Sequence, residues 1–221
     1  GTVLSDRITV SIDGMGGDNA PSMIVSGIGI AAKSNPDVKF LLFGDERRIL
    51  PLLERYPMAK AVCETRHTTD FVTNDDKPTA ALRGAKNSSM RLAINAVADG
   101  EATAVVSAGN TGALMAIATI VLKTLPGISR PAIASSFPTQ SGDSVMLDLG
   151  ANVECDANNL VQFAVMGEVY ARNELGLKQP SIGILNVGVE GLKGNDSVKE
   201  AANILKNSNL PIEFFGFVEG D

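Results

Sequence analysis

Ile8-Thr9-Val10-Ser11-Ile12 runs without a break into Asp13-Gly14-Met15-Gly16-Gly17-Asp18-Asn19-Ala20, and Pro21 then opens a periodic apolar pattern that lasts to about Lys33. A short β-rich run of this kind reads as a buried strand. Glycines interleaved with two aspartates read as a tight polar turn. Proline is favoured in a first helical turn, because its missing N–H would have had no partner there. Strand, glycine turn and helix therefore follow one another within the first few dozen residues.

The same order recurs down the chain. A strand at Lys39–Phe43 ends in Gly44-Asp45 and precedes an amphipathic helix from Arg47 to Arg55. A weaker strand spans Ala61–Thr65, residues 68–77 are polar and loop-like, and Ser88-Ser89 caps a helix through Ala98 that Gly100 stops. Ala104–Ser107 leads into Ala108-Gly109-Asn110-Thr111-Gly112 and a small-residue helix from about Ala113. Val145–Leu149 ends in Gly150-Ala151-Asn152, ahead of a helix from about Asn158 to Leu175. Ser181–Val187 precedes the turn Gly188–Asp196 and a helix to about Lys206, and Glu213–Val218 is the last strand. The repetition predicts an α/β fold: a doubly wound, mostly parallel sheet in a Rossmann-like three-layer arrangement. Right-handed crossovers put every strand-to-helix turn on the carboxyl edge, where ligands bind in open sheets.

Composition narrows what that edge serves. The chain has 221 residues, 44% of them apolar and 20% charged, with 22 glycines, no Trp and a formal net charge of −6. A long-range basic field for nucleic acid or anionic lipid is excluded on that balance, although a local basic pocket is not. The longest apolar run, Ala113–Leu122, falls well short of the ~20 residues that span a bilayer, so the cytoplasm is the expected compartment. Cys63 and Cys155 lack metal or redox spacing and read as reduced. With one histidine, His67, a zinc site would need an unusual ligand set. His67 reads as a surface or packing residue, and no metal or cofactor is expected.

Taken singly, each turn balances between connector and site. Asp13, Gly16, Gly17 and Asp18 suit an anion, because glycines let backbone N–H groups converge at a helix start. The turn is neither a P-loop nor the dinucleotide fingerprint, whose third glycine would fall on Asn19. Ser107, Gly109, Asn110, Thr111 and Gly112 offer hydroxyl, amide and backbone donors at a second helix start. Asp148 and Asn152 bracket a third turn, and Glu190 and Lys193 lie in a fourth, where glycines would let backbone approach a phosphate beside a cation. Arg83, Lys86 and Arg91 cluster around Ser88-Ser89; a solvated helix face is the plain reading for any one of them.

In combination the turns resemble the bacterial PlsX-type phosphate acyltransferase family. The matching stretches, in order, are Asp13–Asp18 with Pro21, Ser88–Arg91, Ser107–Met115, Arg130-Pro131-Ala132, Leu147–Asn152, Gln162-Phe163-Ala164 with Met166-Gly167, and Glu190 with Lys193-Gly194. They cover nearly the whole chain. The resemblance implies a fold related to phosphotransacetylases and to isocitrate- and isopropylmalate-type dehydrogenases. It implies transfer of an acyl chain from acyl carrier protein to inorganic phosphate, a homodimer, and an acyl phosphate product used by a membrane glycerol-3-phosphate acyltransferase. It also implies that the family runs on beyond Glu219-Gly220, so residues 1–221 are expected to be a single domain lacking the family's C-terminal part, with membrane contact at most peripheral.

On this reading Lys193 and the turns at 14–17 and 109–112 hold phosphate. Asn152 or Asn110 donates to the developing oxyanion, Asp148 or Glu190 orients Lys193, and Arg83, Lys86 and Arg91 dock the acidic carrier. Coenzyme A in place of carrier protein, or a non-catalytic anion-binding module, are the alternatives.

Overall fold

A computed structural model describes residues 8–140, 142–148, 155–185 and 196–218, the side chains of Phe217 and Val218 excepted. It divides into two compact units, Gly1–Lys123 and Thr124–Asp221.

The first unit is built on four parallel strands: β1 (Thr9–Asp13), β2 (Lys39–Gly44), β3 (Cys63–His67) and β4 (Ala104–Val106), in the order β3-β2-β1-β4. Strand β2 reads Lys-Phe-Leu-Leu-Phe-Gly and is buried from its second residue on, as a strand covered on both faces must be. Successive side chains point to opposite faces, and the core divides accordingly. Phe40 and Leu42 join Ile12, Val25, Ile28, Ile49 and Leu53 on one face. That face is covered by α1 (Ser22–Ser34), α2 (Glu46–Arg55) and α3 (Pro57–Val62). Leu41 and Phe43 join Ala93, Ala96 and Ala102 on the other, under α5 (Ser89–Ala98), which packs on β1, β2 and β4. Helices α4 (Pro78–Gly84) and α6 (Thr111–Leu122) pack against each other, and α6 also packs against α5.

Local chemistry sets the helix starts. Asp45 accepts from the Arg47 amide at 3.0 Å, and His67 Nδ1 accepts from the Glu46 amide at 3.1 Å. The lone histidine thus helps to cap α2, in keeping with a surface or packing role. Ser88 caps α5 through the Arg91 amide. Pro57 and Pro78 occupy the first positions of α3 and α4. These two short helices are absent from the sequence reading, which begins β3 two residues too early, inside α3. Six- and seven-residue helices carry too little periodicity to announce themselves.

In the second unit, β5 (Ala134–Thr139) pairs antiparallel with β6 (Gly142–Leu147), and β7 (Ser181–Leu185) pairs parallel with β8 (Glu213–Val218). Helix α7 (Ala157–Glu174) packs on β6 and on α8 (Asp196–Lys206). It starts with a reciprocal capping box between Asp156 and Asn159. Strand β5 is also missing from the sequence reading, since Pro138 interrupts its pattern; proline is tolerated where no ladder donor is required.

Leu42 is fully buried between β1 and β3 and touches the largest apolar cluster. Leu42→Ala is expected to cost about 2–5 kcal/mol through lost transfer energy and a residual cavity, read as a shift in the urea midpoint.

Candidate functional site

The chain order β3-β2-β1-β4 reverses direction at β1: β2 and β3 extend the sheet to one side and β4 returns on the other. Crevices at such switch points, outside the carboxyl ends of the strands, are where open α/β sheets bind ligands. Ile12 pairs with Val106 in the β1–β4 register, so the polar turns after both strands begin side by side.

A buried carboxylate ties the two turns together. Asp13, 2% exposed, accepts from Ser107 Oγ at 2.8 Å, from Ser89 Oγ at 2.6 Å and from the Met15 amide at 3.2 Å. Ser107 Oγ in turn accepts from the Gly109 amide at 3.1 Å. The backbones touch at the same place. A Cβ on Gly16 would lie 2.5 Å from Asp13 Oδ2 and 3.0 Å from Gly109 N, and one on Gly109 would lie 3.1 Å from Gly16 Cα. Gly16 must be glycine for the turns to close on one another, and at Gly109 a side chain would need the facing backbone to give by a few tenths of an ångström.

The loop after β3 crosses the mouth of the crevice. Asn74 Nδ2 donates to Asp18 Oδ1 at 2.9 Å, and Asn110 Nδ2 donates to the carbonyls of Asp76 and Thr73 at 2.8 and 3.1 Å. Asn110 Oδ1 accepts from the Ala113 amide at 3.0 Å and caps α6.

These contacts sort the sequence-derived candidates. Asp13, Ser107, Gly109 and Asn110 come together as expected, but their polar groups are spent on the protein itself. Asn110 has no amide proton directed away from the loop it holds, so its side chain is an anchor and not an oxyanion donor. Asp13 is walled in by hydroxyls and cannot touch an anion. Among the described residues, the backbone amides of Gly17, Asn110, Thr111 and Gly112 and the Thr111 hydroxyl have no acceptor; for the three at the start of α6 that is the normal condition of a helix start. Ser89 joins these contacts, although from sequence the Ser88-Ser89 pair reads as a helix cap and part of a family-like stretch, with no site role of its own; one hydroxyl of the pair suffices as cap, which leaves the other for Asp13. Arg83 and Lys86 are exposed, while Arg91 is half-buried with Nε donating to Asn95 Oδ1 at 3.3 Å. A groove of about 450 Å³ lies between the loop and α4, lined by Thr69, Asp70, Phe71, Ala80, Ala81 and Ser88.

In the second unit Asp148 follows β6 with a left-handed backbone, φ 58°, its amide bonded to the Ile133 carbonyl at 2.8 Å. Its Oδ2 accepts from Cys155 Sγ at 3.4 Å, ahead of α7. Burial, then the adjacent Asp148 carboxylate, pushes the Cys155 thiol up to about 11; burial alone pushes Cys63 up to about 12. Ser129 donates to Gln162 Oε1 and accepts from Asn159 Nδ2, which fastens the residue preceding Arg130 to α7. Asn152, Glu190 and Lys193 lie outside the described residues. Among the described residues, no cluster of His, Cys, Asp or Glu is suited to hold a metal.

Fold and crevice together define an α/β protein with a central parallel sheet and glycine turns gathered at its switch point. Residues 8–221 match the family described as fatty acid synthesis protein, and the chain belongs to that family. It is 61% identical to a phosphate acyltransferase of Rhodospirillum centenum, over 99% of this chain and 61% of that one. It is 58% identical to a phosphate acyltransferase of Paramagnetospirillum magneticum, over 99% of this chain and 62% of that one. The chain thus spans about three fifths of the length of these curated relatives. A phosphotransacetylase from Streptococcus pyogenes superposes with a TM-score of 0.63 at 17% identity, over 99% of this chain and 79% of that one. The EutD phosphotransacetylase from Staphylococcus aureus gives 0.60 at 17% identity, over 96% and 69%. These structures share the fold.

The raised Cys155 thiol yields a prediction. At pH 8 its alkylation by iodoacetamide is expected to be slow, because the thiolate is scarce. Asp148→Asn removes the negative neighbour, lowers the thiol's pKa and is expected to speed labelling several-fold, followed by peptide mass spectrometry.

Proposed function

We propose that the full-length protein moves a fatty acyl group from acyl carrier protein to inorganic phosphate and releases an acyl phosphate for phospholipid synthesis. Family membership and the names of the relatives support an acyl transfer to phosphate. The structural observation that carries the reading is the start of α6, where the Thr111 and Gly112 amides lack acceptors beside the glycine turn of β1. Unpaired amides at a helix start, with the helix dipole behind them, suit a phosphate.

The reaction asks little of acid–base groups. Phosphate is already an oxyanion near neutrality, by analogy with a phosphomonoester second pKa of about 6. A phosphate oxygen attacks the thioester carbonyl carbon, the new O–C bond forms, and the C–S bond breaks to release the carrier's thiolate. A free thiol pKa of about 8.5 makes that a fair leaving group. The protein's work is then to position phosphate and stabilise the carbonyl oxyanion. For the second unit, we assign Lys193 as the phosphate-binding cation, Asp148 or Glu190 as its orienting carboxylate, and Asn152 as an oxyanion donor, on the strength of the sequence motifs.

Arg83, Lys86 and Arg91 are assigned to docking of the acidic carrier. The exposure of the first two, at the end of α4 and in the link to α5 beside the Phe71 groove, supports this. The reading also makes the protein a homodimer that passes its product to a membrane glycerol-3-phosphate acyltransferase from the cytoplasmic side. Among the described residues no helix is long and apolar enough to cross a membrane.

Full-length protein incubated with acyl-carrier-protein thioester and phosphate is expected to form acyl phosphate, trapped as the hydroxamate with hydroxylamine. Lys193→Ala is expected to raise the phosphate KM at least tenfold, in line with a lost charge-assisted contact. Turnover with coenzyme A thioesters alone would move the assignment to a phosphotransacylase, and phosphate binding without turnover would leave an anion-binding module. Reversing Arg83 and Lys86 to Glu is expected to raise the carrier KM in a salt-dependent way; an unchanged KM would remove them from the docking surface.

A further inference from the structure

We propose that Ser89 and Ser107, acting through Asp13, are positioning residues that set the anion-binding start of α6. The inference rests on the acyl-phosphate reading above for its kinetic consequence, and on geometry alone for its structural one.

Ser89 is fully buried at the first position of α5, yet it is not the residue that caps that helix; Ser88 is. The Ser89 hydroxyl instead crosses to Asp13 at 2.6 Å, at the carboxyl end of β1. Ser107 reaches the other oxygen of the same carboxylate at 2.8 Å from the carboxyl end of β4. An ionised carboxylate accepts and never donates, so both serine protons are committed to Asp13. With its proton so directed, Ser107 Oγ offers its lone pairs elsewhere and takes the Gly109 amide at 3.1 Å. That bond turns the Gly109 amide inward, immediately before the residue that caps α6.

The order of commitment has a consequence. With the Gly109 amide held inward and the Asn110 side chain fixed by the 73–76 loop and by the Ala113 amide, the backbone amides of Asn110, Thr111 and Gly112 are the donors left open at the start of α6. The carboxylate therefore selects which backbone donors the turn presents without touching the ligand. Gly16 makes the arrangement tight, since any Cβ there would strike Asp13 Oδ2 and the Gly109 amide. A network with shared partners is expected to act as a unit, so its members should give the same kinetic signature.

The test uses full-length protein and measures acyl phosphate formation against phosphate concentration for wild type, Ser89→Ala, Ser107→Ala and Ser107→Thr. Amide hydrogen exchange over residues 105–116 is read in parallel. Both alanine variants are expected to raise the phosphate KM about tenfold with kcat within about threefold, the scale of one lost hydrogen bond to a charged group. Ser107→Thr keeps the hydroxyl and is expected to return KM to near wild type. Exchange over 105–116 is expected to quicken in Ser89→Ala, although residue 89 is remote from that segment in sequence. If Ser107→Ala fails to fold, Asp13→Asn, which keeps the volume and removes one acceptor, is measured in its place with the same expectations. An unchanged phosphate KM, a loss confined to kcat, or unchanged exchange over 105–116 in Ser89→Ala would each overturn the positioning role. Absence of acyl phosphate from the wild type would instead overturn the proposed reaction, and the exchange measurement then decides the positioning role alone.

Discussion

The first unit depends on a carboxylate buried where two strands end. Asp13 is shut off from solvent and satisfied by two serine hydroxyls and one backbone amide that come from three separate elements. A buried charge is costly unless its hydrogen-bonding capacity is met. The β1 turn, the first turn of α5 and the β4 turn are therefore held in one arrangement or not at all. The touching of Gly16 and Gly109 is the steric counterpart of that electrostatic demand. Around this joint the sheet needs only ordinary packing: aliphatic and aromatic side chains alternate from β2 to the two helical layers.

On the proposed function, this constraint lets a glycine-rich switch-point crevice serve an anion although a carboxylate stands in it. The negative charge of Asp13 lies behind the turns, absorbed by hydroxyls, and open amides at the start of α6 lie in front. The proposed reaction demands that division. Phosphate and thioester are reactive enough that placement, not proton transfer, is the enzyme's contribution. A chain with one histidine, used to cap α2, is consistent with such chemistry.

Much of the fold was legible in the residues. The Ile8–Pro21 stretch, the Lys39–Phe43 run and the Ser88–Ala98 helix each carry period, cap and stop signals that agree, and each stands in the structure within a residue or two of its expected bounds. Elements whose local signals are short or in conflict were not legible: α3 and α4 start at prolines but last under two turns, and β5 carries Pro138 in its run. The candidate site was legible as a set of turns but not as a division of labour. Nothing in Ser107-Ala108-Gly109-Asn110 separates groups that hold the turn from groups that face a ligand. That depends on Asp13, Ser89 and the 73–76 loop, which are distant in sequence and meet only in space.

On this account the turn carboxylate and its serines leave the amides that follow Gly109, Thr111 and Gly112 among them, as the open donors for phosphate. Titrating the isotope-labelled full-length protein with inorganic phosphate and following backbone amide resonances tests it most directly. The account predicts saturable shifts that include Thr111 and Gly112 and spare the inward-held Gly109 of the wild type relative to them. Saturable phosphate binding that leaves Thr111 and Gly112 unmoved would contradict it.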